Sequence, residues 1–231
     1  MSALDSVLAK PVFKNAPRVN RSLTANAEKR VLVWMAERTP RALHSDHLTA
    51  FGFISQLLAG AAYALASVNK YALLLASALI VLNWLGDSLD GTLARVRDCQ
   101  RPRYGFYVDH VIDSFGAVAL MAGLGVSGYI DFRIALGMLA GFLLLSAESY
   151  LATYTLGRFH MSHGLFGPTE IRLLMILGNA VLLLRPQVHI LGEQYWLLDV
   201  GGLVAIACMI LMAVVAGIRH TRELYLQETI R

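Results

Sequence analysis

Between residues 47 and 218, long apolar runs alternate with short polar breaks. The runs number six, at about 47–69, 71–95, 105–127, 133–157, 168–186 and 195–218. Each is close to the roughly 20 residues (range about 17–25) that an α-helix needs to cross the hydrocarbon core of a bilayer. The breaks are Lys70 alone, 96–104, 128–132, 158–167 and 187–194. Connections this short force successive helices to run antiparallel, so the predicted fold is an all-α integral membrane protein, a compact six-transmembrane-helix bundle. Ahead of it, residues 26–40 (NAEKRVLVWMAERTP) set Val31, Leu32, Trp34 and Met35 among charges. That pattern predicts an amphipathic helix, either packed on the bundle or lying in the membrane interface, and its basic flanks favour the interface. The chain therefore divides into an N-terminal segment, 1–46, a six-helix transmembrane domain, 47–219, and a short tail, 220–231.

Composition agrees with a lipid environment. Hydrophobic residues make up 56% of the chain and charged residues 16%, against roughly 25% charged in soluble domains. Cys99 and Cys208 lie far apart and do not suggest a disulfide framework. Met1 leads into a polar stretch without the apolar core of a cleavable signal peptide. The net charge is only +4, but Lys10, Lys14, Arg18, Arg21, Lys29, Arg30, Arg38 and Arg41 all precede residue 47. A basic tail of this kind suits nucleic acid or an anionic leaflet. With apolar runs behind it, the lipid bilayer is the expected partner and nucleic acid is not. Positive charge also orients the bundle. With the N-terminus in the cytosol, Arg97, Arg101, Arg103, Arg158, Arg219, Arg222 and Arg231 all fall on the cytosolic side, leaving Lys70, Arg133 and Arg185 opposite. Both termini and the break after the second run are then cytosolic.

That break lies within GDSLDGTLARVRDCQRPRYGFYVDHVID (86–113), where Asp87, Asp90, Asp109 and Asp113 recur at helical spacing. At 100° per residue, with Asp87 at zero, Asp90 lies at about −60°, Gly91 at about +40°, Ala94 at about −20° and Arg95 at about +80°. Gly105, Asp109 and Asp113 form a second strip, each step shifting by about 40°. The two helices can pair antiparallel with these strips facing. An unpaired carboxylate near a membrane is expensive, and four together repel one another. Two divalent cations would cancel the charge, and oxygen-only ligands suit Mg²⁺, Mn²⁺ or Ca²⁺. Such a two-metal carboxylate site can clamp a diphosphate. Gly91, Ala94 and Gly105 would leave room for it, and Arg95 can pair with phosphate oxygens. The bland alternative, four aspartates paired with loop arginines on a solvated turn, does not account for the small residues on the same faces.

The string Asp87-x2-Asp90-Gly91-x2-Ala94-Arg95…Gly105-x3-Asp109-x3-Asp113 resembles the signature of the CDP-alcohol phosphatidyltransferase family. One departure is the nine-residue spacer between Arg95 and Gly105, where eight or slightly fewer is usual. The resemblance implies transfer of a phosphoalcohol (phosphatidyl) group from a CDP-linked donor such as CDP-diacylglycerol to an alcohol hydroxyl, with release of CMP, in phospholipid biosynthesis. It implies Mg²⁺ or Mn²⁺ as cofactor, with Asp87, Asp90 and Asp109 as metal ligands and Asp113 at the second metal and as general base. Gly91, Ala94, Arg95 and Gly105 would line the pocket for the CDP moiety. It also implies a homodimer in the bacterial inner membrane or endoplasmic reticulum, with the active site on the cytosolic side.

Other polar residues at membrane depth could wall an acceptor pocket: Glu148 and Tyr150 on the fourth run, Arg158 after it, and Glu170 and Arg172 at the start of the fifth. For Glu170 and Arg172, ordinary helix-end charge is the competing explanation. His160 and His163 have metal-like spacing but no partner cluster, and read as loop residues. Two other functions compete with the transferase: an intramembrane prenyltransferase clamping a diphosphate through Asp-bound metals, and a non-enzymatic divalent-cation carrier. The former usually has more helices and an Asn before its first Asp, where Gly86 stands here; the latter should carry its acids near the midplane.

Overall fold

A computed structural model of the protein describes residues 18–19, 25–157, 159–160, 167–190 and 192–228. Seven helices account for most of them. They are α1 (Ala25–Arg38), α2 (Ser45–Leu65), α3 (Ala72–Val96), α4 (Pro102–Gly125), α5 (Phe132–Leu156), α6 (Pro168–Leu184) and α7 (Leu197–Gln227). Local chemistry sets several of the ends. Pro102 opens α4 in its first turn, where a missing N–H costs nothing. Asp131 caps α5, its carboxylate accepting the Arg133 N–H at 2.8 Å, and Gly157 closes that helix at φ 66°.

Five helices, α2, α3, α4, α5 and α7, are long and apolar enough to cross a membrane. The fold is thus a helical membrane bundle, and among the described residues five of the six expected spans reach this length. The fifth apolar run becomes a helix of only 17 residues, rising about 26 Å against a hydrocarbon core of roughly 30 Å. Pro186 accounts for the shortfall, because the residue before a proline is pushed out of the helical region. The last run overshoots instead: α7 has 31 residues and continues to Gln227. The expected boundary at 219 therefore falls inside a helix.

Two small sheets join the connections. Arg18–Val19 (β1) pairs in parallel with Phe159–His160 (β2), bringing the N-terminal segment alongside the chain after α5. The break 187–194 is a hairpin of β3 (Gln187–Ile190) and β4 (Glu193–Trp196), with Gly192 at φ 90°.

The core is organised around α2, which packs on both α3 and α4. Glycine makes these crossings possible. A Cβ on Gly86 would lie 2.6 Å from the Gly52 backbone, and one on Gly123 would lie 1.9 Å from the Gly60 carbonyl oxygen. Tyr63 donates to Asn179 Oδ1 at 3.0 Å, and Asn179 Nδ2 donates to Ser77 Oγ at 3.0 Å, tying α2, α6 and α3 together in the interior. The α1 helix docks on the C-terminal half of α3, burying Leu32 and Ala36 against Leu89 and Leu93. Its opposite face leaves Val31 and Trp34 exposed, so α1 is packed on the bundle and still presents an apolar edge. Beyond it, Arg97 donates to the carbonyls of Thr39 and Pro40 at 2.8 and 3.0 Å, and to that of Leu43.

Candidate functional site

Asp87, Asp90, Gly91, Ala94 and Arg95 lie on the last turns of α3, and Gly105, Asp109 and Asp113 on the first turns of α4. The link between the helices is shorter than the sequence spacer suggests, only 97–101, because both helices extend into it; Asp98 turns the chain at φ 51°. The two acidic strips do not meet by direct pairing of their helices. The α3 and α4 backbones make little direct contact, and each packs instead on α2, their shared partner. The aspartates come together as one cluster all the same. Asp90 lies within electrostatic reach of Asp87 and Asp109, and Asp113 within reach of Asp87, Asp90, Asp109 and the Arg172 guanidinium.

Hydrogen bonds from two other helices, α6 and α2, orient the α3 carboxylates. Arg172 on α6 donates Nη2 to Asp87 Oδ2 at 2.7 Å and Nε to Asn83 Oδ1 at 2.9 Å. Asn83 is itself held from α2, donating Nδ2 to the Gly52 carbonyl at 3.1 Å. Asp90 is 6% exposed. Its Oδ2 accepts from Thr49 Oγ1 of α2 at 2.5 Å and its Oδ1 from the Gly91 N–H, while its carbonyl accepts from Ser45 Oγ at 2.9 Å. On α1, one oxygen of Glu28 accepts from Trp84 Nε1 at 2.9 Å, Thr169 Oγ1 at 2.8 Å and Ser88 Oγ at 3.4 Å.

The two glycines of the pattern differ from those at the helix crossings. A Cβ on Gly105 would meet nothing within 4 Å, and one on Gly91 only Arg95 Nη1, at 3.3 Å. Packing within the chain therefore explains neither, and both border open space. Arg95 folds back over this face, donating Nη2 to Thr92 Oγ1 at 2.8 Å.

Among the described residues, no three carboxylate, thiol or imidazole groups close on one point as a metal site would. What fits a divalent cation is the donor set: four oxygen-only carboxylates in one cluster, two of them oriented by neighbouring hydrogen bonds, as metal-ligating carboxylates generally are.

The remaining expected residues separate. Tyr150 joins the site: its ring stacks on His110 at 4.6 Å, and it lies within electrostatic reach of Asp113. Glu148 does not. Two helical residues are about 200° apart, so with Tyr150 facing α4, Glu148 faces α7, where its carboxylate meets His220 Nδ1 at 2.6 Å. Glu170 is buried and accepts the Gly167 N–H at 2.9 Å, capping its own helix. Arg172 reaches the acidic cluster through Asp87, not a separate acceptor wall. Arg158 and His163 lie outside the described residues, and His160 is described only through its backbone pairing in β2. Sequence reasoning missed Thr49, Ser45 and Glu28, which are distant in the chain. Asn83 was within reach, since it sits one turn before Asp87 in an otherwise apolar run.

Two comparisons bear on this site. The sequence model of the family described as CDP-alcohol phosphatidyltransferase matches residues 43–217, from just before α2 to near the end of α7. A protein of Aquifex aeolicus (strain VF5), itself described as an uncharacterized protein, is 34% identical over 116 residues. That match covers 48% of this chain and 57% of the relative's own length.

Proposed function

The chain belongs to the CDP-alcohol phosphatidyltransferase family, and from that premise we propose that it transfers a phosphoalcohol group from a CDP-linked donor to an alcohol hydroxyl and releases CMP. A donor such as CDP-diacylglycerol would make it an enzyme of phospholipid biosynthesis. The observation that carries the reading is the gathering of Asp87, Asp90, Asp109 and Asp113 within mutual electrostatic reach, on helix ends that also carry Gly91 and Gly105, neither of them demanded by packing.

In this reading Asp87, Asp90 and Asp109 hold a divalent cation, Mg²⁺ or Mn²⁺, and Asp113 contributes to a second. Bound there, the pair supplies positive charge to the diphosphate oxygens as they change bonding. The open faces of Gly91, Ala94 and Gly105 receive the cytidine diphosphate, and Arg95, already lying over Gly91, supplies guanidinium donors to its phosphates. Asp113 takes the acceptor hydroxyl proton as the hydroxyl oxygen bonds to the transferred phosphorus. The phosphoanhydride bond to CMP breaks, and its electron pair leaves on the CMP oxygen. Tyr150, beside Asp113, borders the approach of the acceptor. Arg172 is assigned here to Asp87 and not to the acceptor.

Two further readings belong with this function: a homodimer, and placement of the site at the cytosolic face of a bacterial inner membrane or endoplasmic reticulum. The experiment is CMP release from CDP-diacylglycerol by the purified protein with a panel of alcohol acceptors. Release should stop on exhaustive chelation and return with Mg²⁺ or Mn²⁺. Undiminished release after chelation would overturn the metal assignment, and no CMP with any donor or acceptor would overturn the transferase. Prenyl transfer or cation flux without CMP release would establish one of the competing functions.

A further inference from the structure

Trp84 and Ser88 flank Asp87 on α3, and Thr169 lies three residues before Arg172 on α6. A single oxygen of Glu28 accepts from all three. The α3–α6 contact is therefore bridged twice at one level, by the Arg172 guanidinium on Asp87 and Asn83 and by the Glu28 carboxylate on Trp84, Ser88 and Thr169. The second bridge comes from α1, outside the apolar runs of the bundle. That helix is anchored independently, by Leu32 and Ala36 against Leu89 and Leu93 and by Arg97 on the carbonyls after it. Glu28 is thus presented to the seam by a helix already docked along α3.

We propose that Glu28 is a positioning residue: by bridging α3 to α6 it sets the separation across which Arg172 meets Asp87, and so aims the Asp87 carboxylate into the acidic cluster. The α1 helix then belongs to the catalytic apparatus and does more than accompany the membrane surface. Glu28 touches no substrate in this scheme; it acts through Arg172 and Asp87. A carboxylate ligand whose supporting hydrogen bonds are lost typically costs 10–100-fold in metal affinity or activity. That effect should be removable, because the amide oxygen of a glutamine can take the place of Glu28 Oε1 and accept from the same donors, the two short bonds from Trp84 and Thr169 first.

This inference rests on the metal-dependent reading of the site, and its test has two arms that fail separately. The first measures Mn²⁺ affinity by electron paramagnetic resonance in the full chain and in Glu28→Ala and Glu28→Gln variants that purify monodisperse. Glu28→Ala should bind Mn²⁺ about 10–100-fold more weakly, with rescue by Glu28→Gln. Equal loss in both variants would overturn positioning through hydrogen bonds. The second arm uses double electron–electron resonance between spin labels at the exposed positions Val81 and Leu177, with Cys99 and Cys208 replaced by Ser. The α3–α6 distance distribution should broaden or lengthen in Glu28→Ala and return in Glu28→Gln. An unchanged distribution overturns the proposal whatever the metal does. A parent chain that binds no Mn²⁺ while the distance responds as expected overturns the metal reading and leaves the bridge standing.

Discussion

At the scale of single residues, the acids of the cluster differ in what holds them, and that difference separates their roles. Asp90 is fixed by Thr49 and by the N–H that follows it, and Asp87 by Arg172. Asp113, one turn beyond Asp109 and beside Tyr150, is where an acceptor hydroxyl could meet a proton-accepting oxygen. Asp113→Asn preserves shape and one ligand oxygen but cannot take a proton near neutral pH. Donor affinity should therefore survive while CMP release falls by about 10²–10⁴-fold; turnover close to that of the parent chain would remove Asp113 as base. Thr49→Val should act differently. It deletes the hydroxyl on Asp90 at constant volume, so Mn²⁺ affinity should fall about 10–100-fold and turnover should recover in part at high metal concentration. The aspartate pattern was legible because its members are three and four residues apart, a spacing any helix converts into a face. Thr49 was not, because 41 residues separate it from Asp90 and nothing in local periodicity relates the two.

At the scale of elements, the position of α2 decides the site. The acidic strips suggested direct pairing of α3 and α4, yet both helices lean on α2, through glycine contacts at Gly52–Gly86 and Gly60–Gly123. Because those contacts are backbone to backbone, no rotamer change relieves a new side chain there. Gly123→Leu should therefore destabilise the bundle by at least the roughly 1–3 kcal/mol typical of overpacking, read as a lowered thermal midpoint in detergent. Gly105→Leu, where a Cβ meets nothing, should leave that midpoint near the parent value and weaken donor affinity instead. A reversed ranking would show that the α2–α4 crossing tolerates separation. Helix existence was written in the apolar runs, while helix ends were less so. Pro186 cut α6 short as its chemistry requires, but the extension of α7 to Gln227 crosses a polar sequence that hydropathy alone places in a tail.

At the scale of the whole molecule, five membrane-length helices present outward faces rich in exposed leucine and valine, including Leu74, Leu75, Val204, Leu211 and Val214. Such a surface is at rest only in lipid. We propose from the charge bias that the α3–α4 link faces the cytosol, and the two cysteines make that proposal measurable. Cys99 is exposed in the link, whereas Cys208 lies midway along α7. A membrane-impermeant maleimide should modify Cys99 only when the cytosolic face is open to it, and should spare Cys208 in an intact bilayer. Labelling of Cys99 from the opposite side would invert the orientation and move the acidic cluster with it.

The sequence by itself determined that this is a helical membrane chain, where its helices lie to within a few residues except at the end of α7, and that four aspartates and three small residues share faces at adjoining helix ends. Each follows from short-range rules: the length of an apolar run, the 100° step of a helix, the charge of a loop. The tertiary structure decided that α2 is the shared partner of the two helices bearing the acidic strips, that Arg172 belongs to Asp87 and Glu148 to His220, and that Glu28 reaches across to α3 and α6. Those partners come from elements distant in sequence. Only close packing of glycine on glycine, and the need of each buried carboxylate for a donor, select them from the many residues of suitable chemistry.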